Sequence, residues 1–259
     1  MIKRKMLDIL KIIFCLPFLM YSCYSDIRTR RVTNRLWVVM LTGGIFFILY
    51  DFSFYGIYYL FSLFFSVGLI FVIIMLCERL SELFHIRGIG GADAKLLLVL
   101  SVLFPFYPSF EFLGHDLPRT SPLSFFGLSV LGNAVIVAMT IPIAFAIYNL
   151  MKMGLHIDKL LYIFFGYKTK ISELDGKKVW ICQDFEEING KIKVYYTRHG
   201  RENDEKTIKK LKNLLKRGLI KDEIWVTPKI PFMIPITIGF FIAILYGDLI
   251  FELTKTFIK

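Results

Sequence analysis

The sequence is poor in residues that crosslink or hold metals. Its four cysteines (Cys15, Cys23, Cys77 and Cys182) form neither a CxxC motif nor a paired pattern, which argues against a zinc ribbon and a disulfide framework. His85, His115, His156 and His199 are scattered over different connections; without ligand-like pairing they predict no metal centre, and no cofactor is expected. Charge is also missing over long distances: Phe52 to Cys77 and Thr120 to Met151 carry none across 26 and 32 residues. A helix crosses a bilayer with roughly 20 apolar residues, so these runs exclude a single water-soluble core. Nor is there a phosphate loop, because Gly88-Ile89-Gly90-Gly91 lacks the remaining spacing and a preceding buried strand.

What is abundant is apolar surface and positive charge: 56% of the 259 residues are hydrophobic and the net charge is +11. The pattern predicts an α-helical polytopic membrane protein with six transmembrane helices, at Leu7–Ser25, Leu36–Tyr50, Phe54–Cys77, Ala92–Phe110, Ser121–Met151 and Pro231–Leu253. Lys3-Arg4-Lys5 resembles the start of a signal peptide, but Tyr21-Ser22-Cys23-Tyr24 is a poor cleavage site, so the first span is read as retained. Arg28, Arg30, Arg31 and Arg35 follow the first span, and Arg79, Arg87 and Lys95 surround the third connection. Because basic connections stay in the cytoplasm, connections one, three and five are expected inside and both termini outside. The positive balance then reflects this bias and contact with membrane lipids rather than nucleic acid.

The expected organisation is helices one to five over 1–151, a soluble cytoplasmic α+β domain over 152–229, and the sixth helix with a short tail over 230–259. Lys152 to Lys229 holds 18 basic and 11 acidic residues, enough chain for a small folded unit. Val179–Cys182 and Ile192–Tyr196 read as two strands joined through Asn189-Gly190, a hairpin-turn signal. Asp204 to Arg217 spaces Ile208, Leu211, Leu214 and Leu215 as one face of a helix that Gly218 ends. Glu223–Thr227 adds a third strand, and the lysines between Lys206 and Lys216 form a solvated face near an anionic membrane.

Two acids stand at corresponding depths. Asp26 ends the first span and Asp93 opens the fourth, so the proposed topology brings both to the cytoplasmic end. Each alone has a plain structural explanation: Asp26 as a partner of Arg28 or Arg30, and Asp93 at the positive end of a helix. Together, two carboxylates that share a proton and a water suffice for peptide hydrolysis. Gly88, Gly90 and Gly91 either make the turn before the helix or allow backbone to approach an extended substrate and bend. Asn34 either orients a carboxylate or, more simply, caps the second helix.

Asp26-Ile27-Arg28-Thr29-Arg30-Arg31-Val32-Thr33-Asn34 and Gly90-Gly91-Ala92-Asp93-Ala94-Lys95-Leu96-Leu97 resemble the two signatures of the type IV prepilin peptidase family, membrane aspartic proteases of the GxGD type. The small unit before a last helix looks like the archaeal, preflagellin (prearchaellin) peptidase branch. The resemblance implies that Asp26 and Asp93 are the catalytic dyad and that Gly90, Gly91, Ala92 and Lys95 belong to the supporting loop motif. It also implies that the substrates are preflagellins or pilin-like precursors with a short basic leader and a hydrophobic helix. Ala92 stands where the strict motif has its second Gly, and Thr33 where bacterial members often have Pro. The CxxC motifs common in bacterial members are missing, which argues against methyl transfer.

Glu78 and Glu82 are expected to attract the basic leader. Because the dyad distance depends on packing between the first and fourth helices, closure of the glycine loop is expected before cutting. The competing class is a proton- or cation-coupled transporter using the two Asp as ion sites, and a third is a membrane scaffold whose basic domain recruits a partner. The sequence leaves the oligomeric state open.

Overall fold

A computed structural model describes residues 2–84, 88–119, 125–153, 162–188 and 191–258. His85, Arg87, His156 and the Asn189-Gly190 turn lie outside them. The described chain divides into two units, residues 1–138 with 231–259, and residues 139–230.

The first unit is helical because its apolar runs satisfy their backbone within each segment, as lipid requires. Helix α1 spans Ile2–Thr29 and α2 spans Asn34–Tyr55. Gly56, at φ +57°, turns the chain directly into α3 (Ile57–Leu83); a side chain is disfavoured in that left-handed region. Helix α4 (Gly91–Leu103) is the buried centre, with Leu96, Leu97, Leu100 and Leu103 almost wholly covered by packing against α2 and α3. An added Cβ at Gly44 of α2 would run into Leu103, so a small residue there sets the close approach of the two helices.

The fourth span is shorter than the sequence predicts. At 13 residues, α4 extends about 20 Å, against a hydrocarbon thickness of about 30 Å. Pro105 is the cause: it lacks an N–H, and it pushes Phe104 out of helical geometry, to ψ 68°. The chain then forms a hairpin, β1 (Phe110–Phe112) with β2 (His115–Leu117). This hairpin lies by the start of α1. The Ser109 N–H donates to Asp8 at 3.1 Å, and Lys5 pairs with Asp116 at 2.6 Å. Nearby, Lys11 is buried between Asp8 and Asp51. Asp51, between the predicted second and third spans, is instead buried inside α2, where Lys11 compensates its charge.

Helix α5 (Phe126–Met153) begins in the first unit and runs into the second. In the second unit, α6 (Tyr162–Phe165) leads to β3 (Tyr167–Thr169), β4 (Val179–Ile188), β5 (Lys191–Glu202), α7 (Glu205–Lys216) and β6 (Ile224–Pro228). The antiparallel sheet has the order β3-β6-β4-β5. Strands β4 and β5 pair up to Ile188 opposite Lys191, which makes the expected hairpin longer than the two short runs suggested. Ile208, Leu211 and Leu214 of α7 pack with Ile181, Phe185, Ile224 and Val226. Asp204 caps α7 by accepting from the Thr207 N–H, satisfying one of its free N-terminal donors.

The predicted sixth span is two helices in the first unit, α8 (Met233–Leu245) and α9 (Leu249–Ile258). Gly247, at φ +115°, breaks the run. The Asp248 carboxylate accepts from the Phe251 N–H at 3.1 Å and so starts α9. Asn133, fully buried on α5, donates to the Gly247 carbonyl at 2.8 Å and accepts from the Leu249 N–H at 3.0 Å. Four helices, over Arg4–Thr29, Asn34–Tyr55, Ile57–Leu83 and Phe126–Lys152, are long and apolar enough to cross a membrane. Their outward faces, such as Phe61, Phe64, Phe65 and Phe71 of α3, carry far more contiguous apolar surface than water tolerates. The molecule is mostly helical and multi-pass, with a small sheet-containing part; among the described residues, four helices rather than six are long and apolar enough to span.

Candidate active site

Asp26 lies in the last turn of α1, one turn before the helix ends at Thr29. Asp93 is the third residue of α4, and Gly90 precedes that helix in an extended conformation (φ −62°, ψ 138°). The Asp93 carboxylate reaches back to the Gly90 backbone N–H, using a donor that the helix start leaves unsatisfied. Asp93 is buried and Asp26 half-buried. The two side chains, 67 positions apart, line one cavity of about 430 Å³.

The rest of that cavity is supplied by Arg30, Arg31, Val32, Asn34, Gly90, Gly91, Ala92, Lys95 and Met233. The expected loop residues Gly90, Gly91, Ala92 and Lys95 are thus gathered around both acids, whereas Glu78 and Glu82 are not. Those two are exposed on α3, and Glu82 pairs with Arg79 at 3.2 Å. The glycines differ in what they permit. A Cβ at Gly90 would sit 2.5 Å from Asp93 Oδ2, while one at Gly91 would meet nothing within 4 Å. Asn34 does not cap α2; Thr33 occupies the cap position. The Asn34 side chain instead accepts from Lys95 Nζ at 2.7 Å, tying the start of α2 to α4 beside the acids.

Sequence reasoning missed the contribution of α8. Cys23, one turn before Asp26, places its sulfur 3.1 Å from Thr237 Oγ1 and 3.4 Å from the Met233 carbonyl. These contacts pin the Asp26 end of α1 to α8, and α2 packs against both α1 and α4. Apolar helices packed together carry no sign of which faces which, so nothing in the sequence marked this contact. Among the described residues, no group of three or more His, Cys, Asp or Glu is assembled that could hold a metal.

Residues 13–148, more than half of the chain, match the type IV leader peptidase family. The chain belongs to that family. Residues 158–249 match the archaeal peptidase A24 C-terminus, type II, so the similarity extends through the second unit into α9. A preflagellin peptidase of Methanocaldococcus jannaschii is 30% identical over 246 residues, 92% of this chain and 93% of that protein. Preflagellin peptidases of Methanococcus maripaludis and Methanococcus voltae are each 26% identical, over 242 and 251 residues, covering 90% and 91% of this chain and 94% of each relative. Membership in a leader peptidase family makes the molecule a protease, and the cavity containing Asp26 and Asp93 lies inside its matched region together with most of its lining.

Proposed function

We propose that this protein is a membrane aspartic endopeptidase that removes the short basic leader from preflagellin or type IV pilin-like precursors at the cytoplasmic face. The observation that carries the reading is the meeting of Asp26 and Asp93 in one cavity. In such a pair one carboxylate, ionised, takes a proton from a shared water; the other, protonated, polarises the scissile carbonyl. The hydroxyl oxygen then bonds to the carbonyl carbon. As the C–N bond breaks, the leaving amine takes a proton from the pair, which returns to its starting charge.

The relatives' names support preflagellin as the substrate class, and Arg28, Arg30, Arg31 and Arg35, around the junction of α1 and α2, support a cytoplasmic position for this end. A precursor with its apolar helix in the bilayer would present its leader junction at that depth. Sharing membership with leader peptidases leaves the transporter reading without support.

Purified full-length protein in detergent should cut a synthetic precursor, made of a basic leader and a hydrophobic segment, once at their junction. Inside-out vesicles should cut added precursor and sealed right-side-out vesicles should not. No cleavage by the purified protein, or cleavage confined to right-side-out vesicles, contradicts the reading.

A further inference from the structure

Arg30 is the feature of the cavity that the dyad does not use. It follows α1 in the left-handed region, at φ +57°, with its N–H bonded to the Asp26 carbonyl at 3.0 Å. That position usually belongs to Gly or Asn, and a long side chain there is strained. Arg30 lines the cavity, yet its Nε and Nη1 are buried without a hydrogen-bond partner among the described residues. A charged donor removed from water and left unpaired is costly. Backbone strain and orphaned donors thus occur in one residue, four positions from Asp26 and within the same cavity.

Neither cost is recovered inside the described residues, since no ion pair joins Arg30 to Asp26 or Asp93 among them. An acceptor that enters the cavity would supply the hydrogen bonds that these donors lack. An extended peptide brings a main-chain carbonyl with it, uncharged and therefore not repelled by the carboxylate pair, whereas an acidic side chain would be. The guanidinium presents its N–H groups in a rigid fork suited to planar oxygen acceptors. We infer that Arg30 is a substrate-binding residue whose guanidinium turns into the cavity when the precursor enters, so that Nε–H and Nη1–H, covered in the free protein, donate to main-chain carbonyl oxygen beside the leader junction and orient the scissile peptide toward Asp26 and Asp93. This rests on the dyad reading and goes beyond it by assigning the group that grips the substrate backbone.

Arg30→Gly tests it cleanly, because Gly suits the positive φ and melting of the variant should be unchanged or raised. Asn, also tolerated there, provides a second variant, Arg30→Asn. Binding of a fluorescent synthetic precursor is measured on full-length Asp93→Asn protein in detergent, with and without each Arg30 substitution. Loss of hydrogen bonds to a charged donor should weaken binding by about tenfold or more. Arg30→Lys, a point charge without the fork, should recover only part of it. The loss should persist for a precursor whose acidic side chains near the junction are replaced by amides.

Unchanged binding in Arg30→Gly and Arg30→Asn overturns the assignment, and loss of the effect with the amide precursor shows a side-chain carboxylate as the acceptor and overturns it as well. Normal cleavage by Asp93→Asn alone would instead overturn the dyad reading, so the two failures are distinguishable.

Discussion

At the scale of single residues, Gly90 has a stricter requirement than its neighbour. Its φ is ordinary, so backbone freedom does not explain it. Space does: an added Cβ 2.5 Å from Asp93 Oδ2 is closer than non-bonded atoms approach, and the carboxylate must swing aside. Misplacing a reacting group by about 1 Å costs up to about a hundredfold in rate. Gly90→Ala should therefore lower kcat by about tenfold or more while precursor binding to the variant is little changed. Gly91→Ala, with open space around the new methyl, should fold normally and keep kcat within about threefold. Equal kcat in the two variants would show that Gly90 does not position Asp93. The two acids were legible in the sequence because their types, order and flanking residues form two signatures. The demand on Gly90 was not, since it depends on where the Asp93 side chain turns after the helix starts.

Among the elements, those with local instructions were legible and those decided by tertiary contacts were not. Asp204, the spacing of Ile208, Leu211 and Leu214, and Gly218 define α7 locally. Strand β3 is three residues long and exists because β6 offers it a partner. The stop of α4 before Pro105 follows from proline chemistry, but an apolar run that continues to Phe110 masked it. The break between α8 and α9 depends on Asn133, distant in sequence. Asn133→Leu should leave the Gly247 carbonyl and Leu249 N–H unpaired in an apolar interior. Each buried orphan costs about 1–3 kcal/mol, so the variant should lose about 2–6 kcal/mol of stability in denaturant unfolding of the full-length protein in detergent. A loss below about 0.5 kcal/mol would mean that other groups or water satisfy the break.

For the whole molecule, two groups of acidic side chains in the first unit differ in how their charge is met. Asp8, Lys11 and Asp51 compensate one another near the start of α1 and the end of α2. Asp26 and Asp93 meet near the end of α1 and the start of α4. The first group is internally paired, which suits a structural role, while the second faces a cavity lined by Arg30, whose Nε and Nη1 have no hydrogen-bond partner among the described residues, which suits a substrate. Membership in the leader peptidase family covers both units, and the proposed chemistry uses residues of the first. That chemistry has one indispensable requirement: both carboxylates. The most direct measurement is cleavage of a synthetic precursor by full-length Asp26→Asn and Asp93→Asn in detergent, alongside their melting temperatures. Each variant should melt like the parent and lose about a thousandfold or more in kcat, because each removes half of the acid–base pair. Near-normal turnover in either variant would contradict the account.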